Sequence, residues 1–183
     1  MRIITGSAKG KKLKAPRGYK TRPTSDKVKE ALFDILGERV IGSKFLDLYA
    51  GTGSIGIEVL SRGAWKATFV EDTSSLINLI WENLKSCDFV NNAEVIQADV
   101  KKSISSFANR QHKFDIIYID PPYNSTLAEE TLEVLAKSSI LSDNHYIIVE
   151  HNNKKILPEN FWGIVYQKQY EFGDTRLTFY TKK

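Results

Sequence analysis

Phe45-Leu46-Asp47-Leu48-Tyr49-Ala50-Gly51-Thr52-Gly53-Ser54-Ile55-Gly56 is the stretch that decides the fold. Phe45 to Ala50 is short and largely apolar, as a strand buried on both faces requires. A glycine turn hands it to Ile55 to Arg62, which reads as a helix that Gly63 can terminate. Strand, glycine turn and helix in that order form the first unit of a doubly wound α/β sheet. Residues 51–56 match G-x-G-x-x-G literally, but the match is weak by itself. Missing side chains let the backbone approach a ligand closely, and both NAD and S-adenosyl-L-methionine fit that much. Asp47 separates them: its charge opposes a pyrophosphate resting on the turn and attracts a cationic ligand through its amino group. S-adenosyl-L-methionine carries a sulfonium, an ammonium and no phosphate, so Asp47 favours it over a purely structural carboxylate that caps turn amides.

Outward from this unit the alternation repeats. Ala67 to Glu71 and Ala93 to Gln97 read as strands. Between them Leu76 to Lys85 is a helix with Leu76, Ile77, Ile80, Trp81 and Leu84 on one stripe. Phe114 to Ile119 and His145 to Glu150 are further buried strands. A helix falls around Ser103 to Ala108, and Thr126 with Glu129 has the spacing of a capping box ahead of Leu132 and Leu135. Upstream, Pro23-Thr24-Ser25 precede Val28, Ala31, Leu32, Ile35 and Leu36 at helical spacing, and Gly37 supplies a left-handed stop. Such alternation implies a parallel sheet with right-handed crossovers. The last segment breaks the pattern. Gly163 to Phe172 and Thr175 to Thr181 are rich in aromatic and β-branched residues and flank a Gly173-Asp174 turn, so they should pair as an antiparallel hairpin. The expected architecture is a mostly parallel seven-stranded α/β sheet with an antiparallel C-terminal strand, which resembles the Rossmann-like methyltransferases.

Ile119-Asp120-Pro121-Pro122-Tyr123 follows the fourth strand, at the carboxyl edge where open α/β sheets place their ligands. The two prolines fix φ and remove two amide donors. The Asp120 carboxylate and the Pro121 carbonyl can therefore face one small space as acceptors. An exocyclic amine of a base offers two hydrogens to such a pair, and Tyr123 can stack on the base. A base inside a helix cannot present that nitrogen, so the target is flipped out or already single-stranded. On the cofactor side, Glu71 is placed to accept from ribose hydroxyls. Asp99, after the third strand, can meet the adenine amino group or simply cap the helix that begins at Val100.

Charge is distributed unevenly. Residues 1–30 hold ten basic side chains against Asp26 and Glu30, a local net of +8, so the rest of a chain whose total is +4 carries −4. Gly6, Gly10, Pro16 and Gly18 punctuate segments containing Ile3, Ile4, Leu13 and Tyr19, which points to a basic hairpin that binds a polyanion rather than to a solvated tail. Lys9, Lys11, Lys12, Lys14 and Arg22 are its candidate nucleic-acid contacts. Residues 1–40 are expected to form this hairpin and helix, and residues 41–183 the catalytic domain. No apolar leader and no run long enough to span a membrane is present, so a cytoplasmic protein is expected. Cys87 is the single cysteine and reads as a small buried hydrophobe. With three histidines beside it, no metal site is expected.

With these residues assembled, the chain resembles the RsmD family of bacterial methyltransferases, which modify the exocyclic N2 of one guanine in 16S ribosomal RNA. The resemblance runs through Met1-Arg2-Ile3-Ile4, Gly10-Lys11-Lys12-Leu13, Arg22-Pro23-Thr24, Lys29-Glu30-Ala31-Leu32-Phe33, Leu46 to Gly53, Leu60-Ser61-Arg62-Gly63-Ala64 and Asp120-Pro121-Pro122-Tyr123. It implies that Asp47, Gly51 and Gly53 surround the methionine part of the cofactor, Glu71 its ribose and Asp99 its adenine. It also implies that Asp120, Pro121 and Tyr123 hold the guanine. The partner it implies is 16S ribosomal RNA within an assembling small subunit, met by a monomer, with Arg22 reaching a phosphate or bracing the site. Tyr49 stands where the family usually has phenylalanine. An adenine N6 or cytosine N4 methyltransferase acting on DNA remains the nearest alternative, since all three amines suit the same acceptor pair. An NAD-dependent oxidoreductase and a binding protein without catalysis stand further off.

Overall fold

In the computed structural model, which describes residues 1–16, 25–123 and 125–183, the strand that opens at Lys44 is the axis of the fold. This strand, β1 (Lys44–Asp47), pairs in parallel with β2 (Lys66–Glu71) on one side and β4 (Phe114–Ile119) on the other. β3 (Ala93–Gln97) and β5 (Leu141–Asn152) extend the parallel sheet outward from β2 and β4. β8 (Thr175–Lys182) then runs antiparallel between β5 and β7 (Ile164–Phe172). These are the seven expected strands. A two-residue strand, β6 (Asn160–Phe161), adds an eighth at the edge, giving the order β3-β2-β1-β4-β5-β8-β7-β6.

Among the described residues five α-helices cover the sheet: α1 (Asp26–Leu36), α2 (Ser54–Ser61), α3 (Ser74–Ser86), α4 (Val100–Asn109) and α5 (Leu127–Lys137). Successive strand residues point to opposite faces, and the core divides accordingly. Phe45, Phe69, Ile116 and Ile148 pack on one face with α1, α2 and α3, while Leu46, Val70, Ile117 and Ile147 pack on the other with α4 and α5. Gly56 lets α2 lie close against β2. A Cβ at Gly56 would stand 2.3 Å from the Phe69 ring, so any larger residue must push helix and strand apart.

Three local readings shift. Sheet pairing in β1 ends at Asp47 rather than Ala50, although the amides of Leu48 and Ala50 still donate to the carbonyls of Tyr118 and Val70, both at 3.0 Å. β5 begins at Leu141, four residues before His145, where polar Ser142 to Asn144 mask the apolar signal. The expected capping box at α5 does not form, because the Thr126 hydroxyl donates to Glu130 at 2.6 Å and caps no amide. The α1 signals hold. Ser25 accepts from the Val28 amide at 3.2 Å, and Gly37 takes φ +54°.

The first residues form a docked hairpin. Arg2 bridges Lys12, the Ile3 amide donates to the Lys11 carbonyl at 3.0 Å, and Ile3, Ala8 and Leu13 join the core on the α2 side. Glu58 of α2 anchors it from below. Its fully buried carboxylate accepts from the amides of Ile4 at 2.8 Å and Thr5 at 2.9 Å, and pairs with Lys29 Nζ at 3.3 Å and Arg62 Nε at 3.0 Å. Cys87 is buried, as its reading requires.

Candidate active site

All five parallel strands deliver a carboxylate to the same edge of the sheet. Asp47 closes β1, Glu71 closes β2, Asp99 follows β3, Asp120 follows β4, and Glu150 lies near the end of β5. The parallel order β3-β2-β1-β4-β5 sets them in a row, with the glycine turn above the centre. Gly51 and Gly53 adopt φ +55° and +77°, the left-handed region that side chains strain. A Cβ at Gly51 would meet nothing within 4 Å, whereas one at Gly53 would touch Ile57 and Ile80 at 3.4 Å, so the turn opens onto free space at Gly51 and rests on packed protein at Gly53.

Asp47 is buried under this turn, and its Oδ1 has no hydrogen-bond partner among the described residues. Burial pushes its carboxyl up to about 7, with Glu71 and Glu150 adding repulsion and the amides of Tyr49 and Gly56 opposing the rise. Glu71 is more fully satisfied: it accepts from the Gly51 amide at 2.9 Å, the Asp72 amide at 3.1 Å and the Thr73 amide at 3.0 Å. It thereby ties the glycine turn to the end of β2. Asp99 does cap α4, accepting from the Lys102 amide at 3.1 Å through Oδ1. One carboxylate can serve both readings, because the capping bond leaves Oδ2 available. The Tyr49 hydroxyl, which departs from the family pattern, is accommodated by Thr131 at 2.7 Å.

On the other side of the turn, Asp120 is partly buried and its carboxyl is raised well above the ordinary range, first by burial and then by the charges of Glu150 and Asp47. Pro121 is buried and Pro122 exposed. The Ser125 amide and hydroxyl occupy the Pro122 carbonyl at 3.1 and 2.6 Å. Tyr123 is half-buried. Its hydroxyl donates to Glu150 at 3.2 Å and meets the Thr175 hydroxyl at 3.0 Å, which fixes the ring from its far end. Burial leads the causes that push the Tyr123 phenol up to about 12.

Glu150, Thr175 and Asn83 were not singled out from the sequence. Glu150 is buried and accepts from both Tyr118 and Tyr123. Its signal was present, an acid ending an apolar run just as Asp47 and Glu71 do. Thr175 carried none, because β8 reaches the site only through its antiparallel pairing with β5. The expected nucleic-acid residues divide. Lys9 and Lys12 are exposed, whereas Lys11 pairs with Asp88 at 3.0 Å and Lys14 with Glu82 at 2.9 Å. Arg22 lies outside the described residues.

The donor set fits S-adenosyl-L-methionine. An orphaned, buried carboxylate oxygen beside an open glycine turn calls for a cationic hydrogen-bond donor. A phosphate there would face Asp47 and Glu71 with like charge. No three-residue metal cluster and no membrane-spanning helix occurs among the described residues.

Comparison with known proteins agrees. Residues 1–181 match the family model described as Conserved hypothetical protein 95. YlbH of Bacillus subtilis (strain 168) is 36% identical across 100% of both chains. Ribosomal RNA small subunit methyltransferase D of Haemophilus influenzae is 37% identical over 171 residues, covering 92% of this chain and 88% of its own. The structure of yhhF from Escherichia coli superposes with a TM-score of 0.87 at 30% identity, covering 100% of this chain and 98% of that one.

Proposed function

Because the chain belongs to the RsmD family, whose model bears the description Conserved hypothetical protein 95, we propose that it methylates the exocyclic N2 of a guanine in 16S ribosomal RNA. It acts as a cytoplasmic monomer on the assembling small subunit. The observation that carries this reading is the row of acids at the carboxyl ends of the neighbouring strands β1, β4 and β5, Asp47, Asp120 and Glu150, with the buried Asp47 Oδ1 beside the glycine turn left without a partner among the described residues. Asp47, Gly51 and Gly53 hold the methionine part of the cofactor, Glu71 its ribose through lone pairs not taken by amides, and Asp99 its adenine. When bound, S-adenosyl-L-methionine supplies an electrophilic methyl group on a positively charged sulfur.

The rest of the chemistry belongs to the chain. Before a cation enters, burial and the neighbouring acids hold Asp120 toward its neutral form. Positive charge nearby reverses that balance and makes Asp120 an ionised acceptor. Asp120 and the Pro121 carbonyl then grip the two hydrogens of the amine and aim its nitrogen. Such positioning of two reactants lowers a barrier by about 7 to 11 kcal/mol. Tyr123, fixed by Glu150 and Thr175, presents its ring to the base, and stacking contributes about 1 to 3 kcal/mol toward holding it out of the helix. Asp120 stabilises the cationic amine that forms, and the proton leaves afterwards. The basic hairpin and helix of residues 1–40 hold RNA through Lys9, Lys11, Lys12 and Lys14, with Arg22 as a further contact.

The test supplies labelled S-adenosyl-L-methionine with unmodified small subunits, naked 16S RNA or DNA, and digests the products to nucleosides. N2-methylguanosine from the RNA substrates is expected. N6-methyladenine or N4-methylcytosine from DNA alone would replace this reading with a DNA methyltransferase.

A further inference from the structure

Asn83 sits where three parts of the molecule meet. Its side chain is buried on α3, and its hydrogen-bonding groups are all engaged. Oδ1 accepts the Lys14 amide at 2.8 Å, and Nδ2 donates to the Lys14 carbonyl at 3.2 Å and to the Thr52 carbonyl at 3.0 Å. Lys14 follows the returning limb of the basic hairpin, and Thr52 lies between Gly51 and Gly53. Around this junction Lys14 Nζ pairs with Glu82 at 2.9 Å, and Lys11 Nζ donates to Asp88 at 3.0 Å and to the Ser86 carbonyl at 2.8 Å. The Thr52 hydroxyl also approaches the Met1 sulfur at 3.6 Å.

One planar amide thus joins the main chain of the hairpin to the main chain of the glycine turn. All three bonds form together only when hairpin and turn share one arrangement. A residue kept for packing alone needs only the shape that leucine also has. Here leucine would strand three partly buried main-chain groups, the Lys14 amide and the carbonyls of Lys14 and Thr52. Fixing either end of such a junction lowers the entropic cost of ordering the other.

We propose that Asn83 is a positioning residue that couples RNA held on the hairpin to the cofactor turn, so that each ligand tightens the other. The inference rests on the reading that the hairpin takes RNA and the turn takes S-adenosyl-L-methionine. Linkage makes the effect reciprocal.

The test is calorimetric titration of S-adenosylhomocysteine into the full chain, alone and with saturating transcribed 16S ribosomal RNA. In the native protein the RNA should tighten the Kd for S-adenosylhomocysteine by about fivefold or more, the lower end of typical coupling. In Asn83→Ala the tightening should vanish while each ligand still binds separately. A merely structural defect weakens binding with and without RNA and leaves the ratio unchanged. Should thermal melting show Asn83→Ala unfolded, Lys14→Pro deletes one amide donor of the junction and must lose the tightening. Lys14→Ala loses the same side chain, and with it any phosphate contact, but keeps that amide, so at RNA concentrations raised to saturation it must keep the tightening. Tightening that survives Asn83→Ala or Lys14→Pro, or that the native protein lacks, overturns the coupling and leaves the methyltransferase reading standing. A native chain that binds no S-adenosylhomocysteine overturns both.

Discussion

Glu58 and Asp47 are both buried carboxylates of the same strand-turn-helix unit, one within α2 and one at the end of β1, and the chain treats them in opposite ways. Glu58 is surrounded: two amides, Lys29 and Arg62 meet its two oxygens. Asp47 has one oxygen without a partner among the described residues and acidic neighbours in Glu71 and Glu150. Burial of a charge is costly unless it is compensated. At Glu58 the compensation is internal, and the result is a docked hairpin. At the strand ends it is left to whatever cation enters, and the result is a site. A satisfied buried charge marks architecture, whereas an unsatisfied one beside open space marks a ligand.

The largest effect should come from breaking the satisfied side. Glu58→Ala leaves Lys29 buried without its carboxylate and frees two hairpin amides, so urea unfolding should show a loss of about 3 to 5 kcal/mol. A loss below about 1 kcal/mol, the surface-pair range, would mean that the two carboxylates differ less than their surroundings indicate. On the other side, Asp120→Ala should lower kcat by about 10²- to 10³-fold with the fold intact, as when one preorganised group is removed from a transition state. Asp120→Asn, which keeps one acceptor, should lose less.

The comparison sharpens through pH. The Asp47 carboxyl is raised from 3.8 to about 7 in the folded protein, so between those values the native state keeps a proton that the unfolded chain has lost. Stability of the free protein therefore falls as pH rises through that window and levels off above it. Affinity for the cationic cofactor moves the other way, rising with pH up to about 7, where binding releases a proton, and levelling off above it. Asp47→Asn should flatten both profiles and weaken S-adenosylhomocysteine about tenfold at pH 8, the equivalent of one charge-assisted hydrogen bond. Titration in buffers of different ionisation enthalpy measures the proton directly. An unchanged pH profile in Asp47→Asn would assign the titration to Asp120 instead.

The smallest effect separates the hairpin lysines. Lys11 and Lys14 already have acidic partners, whereas Lys9 and Lys12 face solvent. Replacing Lys9 and Lys12 should flatten the salt dependence of RNA binding by about 0.7 for each phosphate that is no longer neutralised. Replacing Lys11 should change it less, because Asp88 must first release that charge. Equal slopes for the Lys9, Lys12 and Lys11 variants would remove this distinction.

Much of this was legible in the residues themselves. Short apolar runs alternating with helical stripes pointed to a parallel sheet, since a helix between successive strands carries the chain back to begin the next strand in the same direction. Gly51 and Gly53 marked the turn, and Asp120 to Tyr123 marked the loop, because backbone constraints of glycine and proline act within a few residues. Tertiary structure alone decided the pairings between distant segments. It brought Glu150 and Thr175 to the Tyr123 hydroxyl, 27 and 52 residues away, and Asn83 to Lys14, 69 residues away. It also chose which carboxylates would be compensated, because an isolated acid in a sequence shows its charge but not its neighbours. Local chemistry sets which conformations a segment prefers, and the cost of burying polar groups is settled only where segments meet.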